Sequence, residues 1–216
     1  MLRILLADDH DLTRAGLRYL LEKQKDWNVC GEAPNGRAAV ELAEELKPDV
    51  AILDMSMPEL NGVEATRQIL KKLPRTKVLI YTMHETEAII IDALDAGASG
   101  IVLKSDAGEN MVTAVESVVR GRRFLTPHVA ETVVEAYLTK KAGTASDPGG
   151  QVVLTTRERE VIQLLAEGKS NKEVANCLSI STRTAEGHRA EIMKRLKIGS
   201  LAELIRYAVR NGIVQP

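Results

Sequence analysis

The sequence predicts an α/β unit followed by an all-α unit: a five-stranded, doubly wound parallel sheet, then four short helices. Three observations predict it. Short apolar runs alternate with helix-period segments through the first half of the chain, the pattern of consecutive βα units. A small, polar, breaker-rich stretch, Ala142-Gly143-Thr144-Ala145-Ser146-Asp147-Pro148-Gly149-Gly150, then reads as a flexible linker. Beyond it, three Ser/Thr residues are each followed three positions later by Glu, and each such pair marks a helix start.

The strands are expected at 3–7, 28–33, 50–53, 77–82 and 100–103. Most are continuous apolar runs, as in strands covered on both faces. Helices are expected near 11–24, 36–47, 61–72, 86–96 and 108–120. Leu17, Leu20 and Leu21, and Ala39, Leu42, Ala43 and Leu46, show the i, i+3, i+4 spacing of one helix face. Gly62, Gly97 and Gly100 punctuate turns, and Met57-Pro58 marks a loop after Asp54. Residues 127–141 suit one more helix.

In the last third, the capping pairs are Thr155 with Glu158, Ser170 with Glu173, and Ser200 with Glu203. A fourth start lies at Ser181-Thr182. The expected helices are 156–167, 171–177, 182–195 and 201–211, with Gly168 and Gly199 at helix exits. The tight connection Leu178-Ser179-Ile180-Ser181 gives a helix-turn-helix. The expected domains are 1–124, a linker helix and flexible linker over 125–150, and 151–216.

Composition narrows the class. The chain is 44% apolar and 27% charged, as in water-soluble globular proteins. No apolar run approaches the ~20 residues that cross a bilayer. The opening apolar run meets Asp8-Asp9 too soon for a signal peptide. Cys30 and Cys177 lie in different units with no CxxC partner, so free thiols in a reducing cytoplasm are expected. Residues 1–130 carry net −4 and residues 151–216 net +4. The second unit is therefore suited to a polyanion.

Four strand ends carry chemistry. The first run ends on Asp8-Asp9, the third on Asp54, the fourth on Thr82 and the fifth on Lys104. In open α/β sheets the ligand site lies beyond the carboxyl ends of the strands, so these groups should converge. Three close carboxylates repel, and such a site protonates or binds a cation. Oxygen ligands beside a phosphoryl group favour Mg²⁺. Asp54 is then the candidate nucleophile, forming an aspartyl phosphate. Lys104 would neutralise one phosphoryl oxygen and Thr82 would donate to another.

These residues resemble the receiver domain of two-component response regulators: Asp8-Asp9, the run Asp54-Met55-Ser56-Met57-Pro58-Glu59-Leu60-Asn61-Gly62, Thr82 and Lys104. The C-terminal part resembles the helix-turn-helix of the NarL/FixJ (LuxR-type) family. It does so through Leu154-Thr155, Arg157-Glu158-Arg159-Glu160-Val161, Gly168-Lys169-Ser170-Asn171-Lys172-Glu173-Val174-Ala175, Leu178, Ile180-Ser181, Thr184 and His188. The resemblance implies a cytoplasmic transcriptional regulator, not an enzyme. Asp54 would accept a phosphoryl group from a sensor histidine kinase. Asp8, Asp9, Asp54 and the Ser56 backbone carbonyl would hold Mg²⁺. The family usually has Tyr or Phe three positions before the lysine, where this chain has Ile101. His84 stands where the family tunes phosphoryl lifetime, whereas His10 is expected to be a bystander.

On the 182–195 helix, Ala185, His188, Ile192 and Leu196 form a core-facing stripe. Arg183, Thr184, Glu186, Gly187, Arg189, Ala190 and Lys194 occupy the other side, where a recognition helix meets the major groove. Lys172, Arg189, Arg195 and Lys197 are candidate phosphate contacts, with backbone N–H groups at Ser181 and Thr182. A unit of net +4 binds double-stranded DNA weakly alone, so a homodimer on two half-sites is expected. The stripe Leu201, Leu204, Ile205 and Val209 is its candidate face. Two other classes compete. An aspartate-based phosphohydrolase commonly has a second Asp two positions after the nucleophile, where this chain has Ser56. A phosphorylation-independent adaptor is favoured only by Ile101.

Overall fold

The computed structural model describes residues 1–83, 86–141 and 154–214. They fall into two compact units, Met1–Thr144 and Ala145–Pro216. The expected linker at 142–150 and His84 lie outside the described residues.

The first unit is a parallel sheet of β1 (Leu2–Ala7), β2 (Trp27–Ala33), β3 (Val50–Asp54), β4 (Lys77–Thr82), β5 (Gly100–Leu103) and β6 (Phe124–Leu125). The order is β2-β1-β3-β4-β5-β6. Among the described residues the sheet thus has six strands, not five. The sixth pairs Phe124 with Gly100 and Leu125 with Ile101. Two residues are too few to show a periodicity. The pairing depends on Gly100, where a Cβ would lie 2.5 Å from the Phe124 carbonyl oxygen.

Side chains alternate across the sheet, so each strand feeds two cores. Leu5, Leu53, Ile80 and Ile101 join α2 (Gly36–Leu46), α3 (Gly62–Lys72) and α4 (Glu87–Asp95) in one. Ile4, Ile52, Leu79 and Val102 join α1 (Asp11–Glu22) and α5 (Ala107–Val119) in the other. The central β3 is buried along its whole length, which explains its unbroken apolar run. The expected helix at 127–141 is α6 (Pro127–Lys141), whose Val129 and Ala136 are buried. Val129 belongs to the same core as α4.

The second unit comprises α7 (Thr156–Ala166), α8 (Asn171–Cys177), α9 (Thr182–Leu196) and α10 (Leu201–Arg210). Val161, Leu164, Leu165, Val174, Ala185, Ile192, Leu204 and Ala208 form its core. The capping pairs at Thr155 and Ser170 are complete in both directions. The third differs: Ser200 accepts from the Glu203 N–H, but Glu203 accepts from Gly199 N–H at 2.7 Å, one residue earlier. Gly168 leaves α7 with φ +86°. The left-handed exit of α9 falls on Lys197, not Gly199, with φ +54°. Among the described residues no helix is long and apolar enough to cross a membrane.

Candidate functional site

The chain leaves β1 toward β2 on one side, while β3 pairs on the other. A crevice opens at such a switch point beyond the carboxyl ends. Asp8 follows β1 and Asp54 ends β3, and both are buried. Lys104 follows β5, and its Nζ lies 2.8 Å from Asp8 Oδ2 and 3.1 Å from Asp54 Oδ2. One ammonium thus joins two strand-end carboxylates that would otherwise repel. The same Nζ lies 5.0 Å from the centre of the Tyr81 ring, within range of a cation–π attraction.

Burial pushes the Asp54 carboxyl above the usual range; the Lys104 charge opposes this and the Asp8 charge adds to it. Burial also works against the Lys104 ammonium. Its hydrogen bond to Asp8 and the attraction of Asp54 outweigh that, so its pKa is raised. A nucleophilic carboxylate must be ionised, and further positive charge here would favour that form.

Asp9 projects toward solvent, with its side chain 34% exposed. His10 Nδ1 lies 2.9 Å from Asp9 Oδ1 and 3.4 Å from Asp8 Oδ1, so the expected bystander stands against the acidic pair, with its side chain 70% exposed. Ligand atoms of Asp8, Asp9 and His10 all lie within 4.8 Å of one another. Thr82 ends β4, fully buried, with its Oγ 3.7 Å from Met55 Sδ. Ser56 is half-buried in the loop after Asp54, and its backbone hydrogen-bonds the Asp54 carboxylate. Ile101 is fully buried between Ile80 of β4 and Leu125 of β6.

The loop after Asp54 is fixed by asparagine caps and one close backbone approach. Asn61 caps α3 by accepting from Glu64 N–H, and Asn35 caps α2 in the same way from Ala38 N–H. Gly36 packs so close that a Cβ would lie 2.0 Å from the Leu60 carbonyl oxygen. The caps follow a known Asn preference; the close approach leaves no local signal.

In the second unit, Lys172, Ser181, Thr182, Arg183, Thr184, Glu186, Gly187, Ala190 and Lys194 are exposed, and Arg189 is half-buried. Ala185 and Ile192 are buried on the opposite side of α9, and His188 is half-buried. Ser181 Oγ already accepts from the Thr184 N–H at 3.0 Å and lies 2.8 Å from its hydroxyl. These groups serve the cap. Arg195 does not stand free for a phosphate, because it pairs with the buried Glu158. Arg157 donates to the Leu178 carbonyl at 2.9 Å and to Glu160 at 2.8 Å, tying the turn after α8 to α7. Leu204 is spent in the unit's own core, while Leu201 stays exposed.

Two family descriptions match the chain. A response regulator receiver domain covers residues 4–116, and bacterial regulatory proteins of the luxR family cover residues 152–208. The chain belongs to the LuxR-type response regulators. This response regulator therefore joins a receiver domain to a LuxR-type DNA-binding domain. Its relatives are transcriptional regulators. It is 35% identical to the oxygen regulatory protein NreC of Staphylococcus carnosus, over 99% of each chain. It is 32% identical to the transcriptional regulatory protein DegU of Brevibacillus brevis, over 99% of this chain and 95% of that one. The response regulator RcsB of Salmonella typhimurium has a solved structure 27% identical, with TM-score 0.59, over 97% of this chain and 98% of that chain. RcsB has also been described in complex with DNA, and as two dimers on two parallel DNAs.

Proposed function

We propose that Asp54 accepts a phosphoryl group from the phosphohistidine of a sensor histidine kinase, and that this event governs binding of double-stranded DNA by the second unit. The observation that carries the reading is the Lys104 ammonium held between Asp8 and Asp54 at the carboxyl edge of the sheet. An Asp54 oxygen bonds to phosphorus as the phosphorus–nitrogen bond breaks, and its electron pair leaves on the imidazole. Lys104 pairs with one phosphoryl oxygen, and Thr82 turns from Met55 to donate to another.

The donor set suits a hard divalent cation, because carboxylates and a backbone carbonyl offer oxygen. Asp8, Asp9, Asp54 and the Ser56 carbonyl would hold Mg²⁺, which when bound neutralises phosphoryl charge. The proposed domains are a receiver at 1–124, a linker at 125–150 and a DNA-binding domain at 151–216. Lys172, Ser181, Thr182, Arg183, Thr184, Glu186, Gly187, Arg189, Ala190 and Lys194 are the proposed DNA contacts. The active form is a homodimer in the cytoplasm, and the chain turns over no external substrate.

The test compares wild type with Asp54→Ala, with and without Mg²⁺ and beryllofluoride, by mass in solution and DNA affinity. Wild type should dimerise and bind DNA more tightly with both additions, and Asp54→Ala should not respond. Identical behaviour of the two proteins would transfer control away from the acidic site.

A further inference from the structure

Arg14 sits on α1 beside the acidic pocket, and its side chain is only 13% exposed. Its Nη1 donates to the backbone carbonyl of Asp8 at 2.6 Å. Its Nη2 pairs with Asp11, and its Nε lies 3.4 Å from Glu32 Oε2. Glu32 is itself held by Arg18, which donates to it at 2.6 Å. The guanidinium thus pairs with exposed Asp11, faces Glu32 without a hydrogen bond from its buried Nε, and is aimed at one carbonyl.

That carbonyl matters because of what it is joined to. The Asp8 C=O and the Asp9 N–H belong to one rigid peptide plane. Every other handle on Asp8 is taken. Its N–H donates to Ala33 O at 3.2 Å. Its carboxylate accepts from His10 N–H and from Lys104, each at 2.8 Å. Arg14 supplies the restraint at the carbonyl, and so fixes the direction in which the chain leaves Asp8. Asp9 lacks the burial that holds Asp8 and Asp54; its Oδ1 lies 2.9 Å from His10 Nδ1, so that contact and the peptide direction together set where its carboxylate points.

We propose that Arg14 is a positioning residue for the divalent cation, setting the Asp8–Asp9 peptide plane so that the two carboxylates meet at one point. This rests on the reading of the pocket as a cation-dependent phosphoacceptor site. Partners that orient metal ligands typically contribute 10–100-fold in metal affinity.

The experiment measures Mg²⁺ binding by calorimetry, and the Mg²⁺ dependence of phosphorylation by a small phosphoramidate, on the full chain. Arg14→Ala should weaken Mg²⁺ binding about tenfold. It should move half-saturation to higher Mg²⁺ yet reach the wild-type maximal rate. Arg14→Met, which fills similar space without donors, should match it. Arg14→Lys, which keeps one donor but not the fork, should recover part of the affinity. Wild-type Mg²⁺ affinity in Arg14→Met, with or without lower thermal stability, would overturn the inference. Asp9→Asn separates the two readings. If wild type and Asp9→Asn both fail to bind Mg²⁺, the site reading fails. If wild type binds and Asp9→Asn does not, while Arg14→Met binds normally, only the role of Arg14 fails.

Discussion

Gly62 shows how a position without a side chain shapes the pocket. Its N–H donates to the Met55 carbonyl at 2.9 Å. A Cβ there would lie 2.2 Å from the Asp54 carbonyl oxygen and 3.0 Å from Met55 Cα. Backbone cannot move aside as a flexible side chain can, so α3 begins directly on the end of β3 only because residue 62 is glycine. Gly62→Ala should therefore destabilise the first unit by about 3 kcal/mol, the upper range for overpacking. Gly16 is the control, since a Cβ there meets nothing within 4 Å inside α1. Gly16→Ala should stabilise by about 0.5–1 kcal/mol, the usual helix gain over glycine. Urea denaturation reads both. Equal midpoints for Gly62→Ala and wild type would mean that α3 can shift without cost.

Helix α7 shows how one element's cap is coupled to another's side chain. Glu158 accepts from the Thr155 N–H at 2.8 Å, and also from Arg195 of α9. Burial works against its charge, but the Thr155 hydrogen bonds and the Arg195 attraction outweigh it, so its pKa is lowered. A carboxyl with a lowered pKa in the folded state stabilises fully above its ordinary value, here 4.5. That stabilisation is lost as pH falls through the folded value. Glu158→Gln should accordingly be less stable than wild type at pH 7, and the gap should narrow on acidification below 4.5. Denaturation of both proteins across this range checks it, and a gap constant with pH would contradict the coupling. The caps at Thr155 and Ser170 were legible because a capping box is local. At the third, Ser200 caps α10 as the spacing predicts, and only the return bond differs, because Glu203 accepts from Gly199 instead of Ser200. Strand β6 was illegible for the complementary reason: its pairing comes from a close approach at Gly100, not from a pattern in Phe124-Leu125. The pocket divides in the same way. Asp8, Asp54 and Lys104 could be placed as strand ends, whereas the contact of Arg14 with the Asp8 carbonyl is a distance that no spacing encodes.

For the whole molecule, charge is divided between the units, with net −4 over residues 1–130 and net +4 over residues 151–216. The cations of the second unit are not equivalent. Arg157 pairs with Glu160 within α7, and Arg195 of α9 pairs with Glu158 of α7. Lys172, Arg183 and Lys194 are exposed, and Arg189 is half-buried. Each cation that meets a DNA phosphate releases a counterion and contributes about −0.9 to the slope of log affinity against log salt. Lys172→Ala and Arg189→Ala should each reduce that slope by about 1, weakening binding evenly across DNA sequences. Arg195→Ala should leave the slope unchanged and instead lower the stability of the second unit, because it strands the buried Glu158. Anisotropy titrations at several salt concentrations, paired with denaturation, separate the two groups. A flatter slope for Arg195→Ala at wild-type stability would mean that Arg195 leaves Glu158 on binding, and that the division between structural and DNA-facing cations exists only in the free protein.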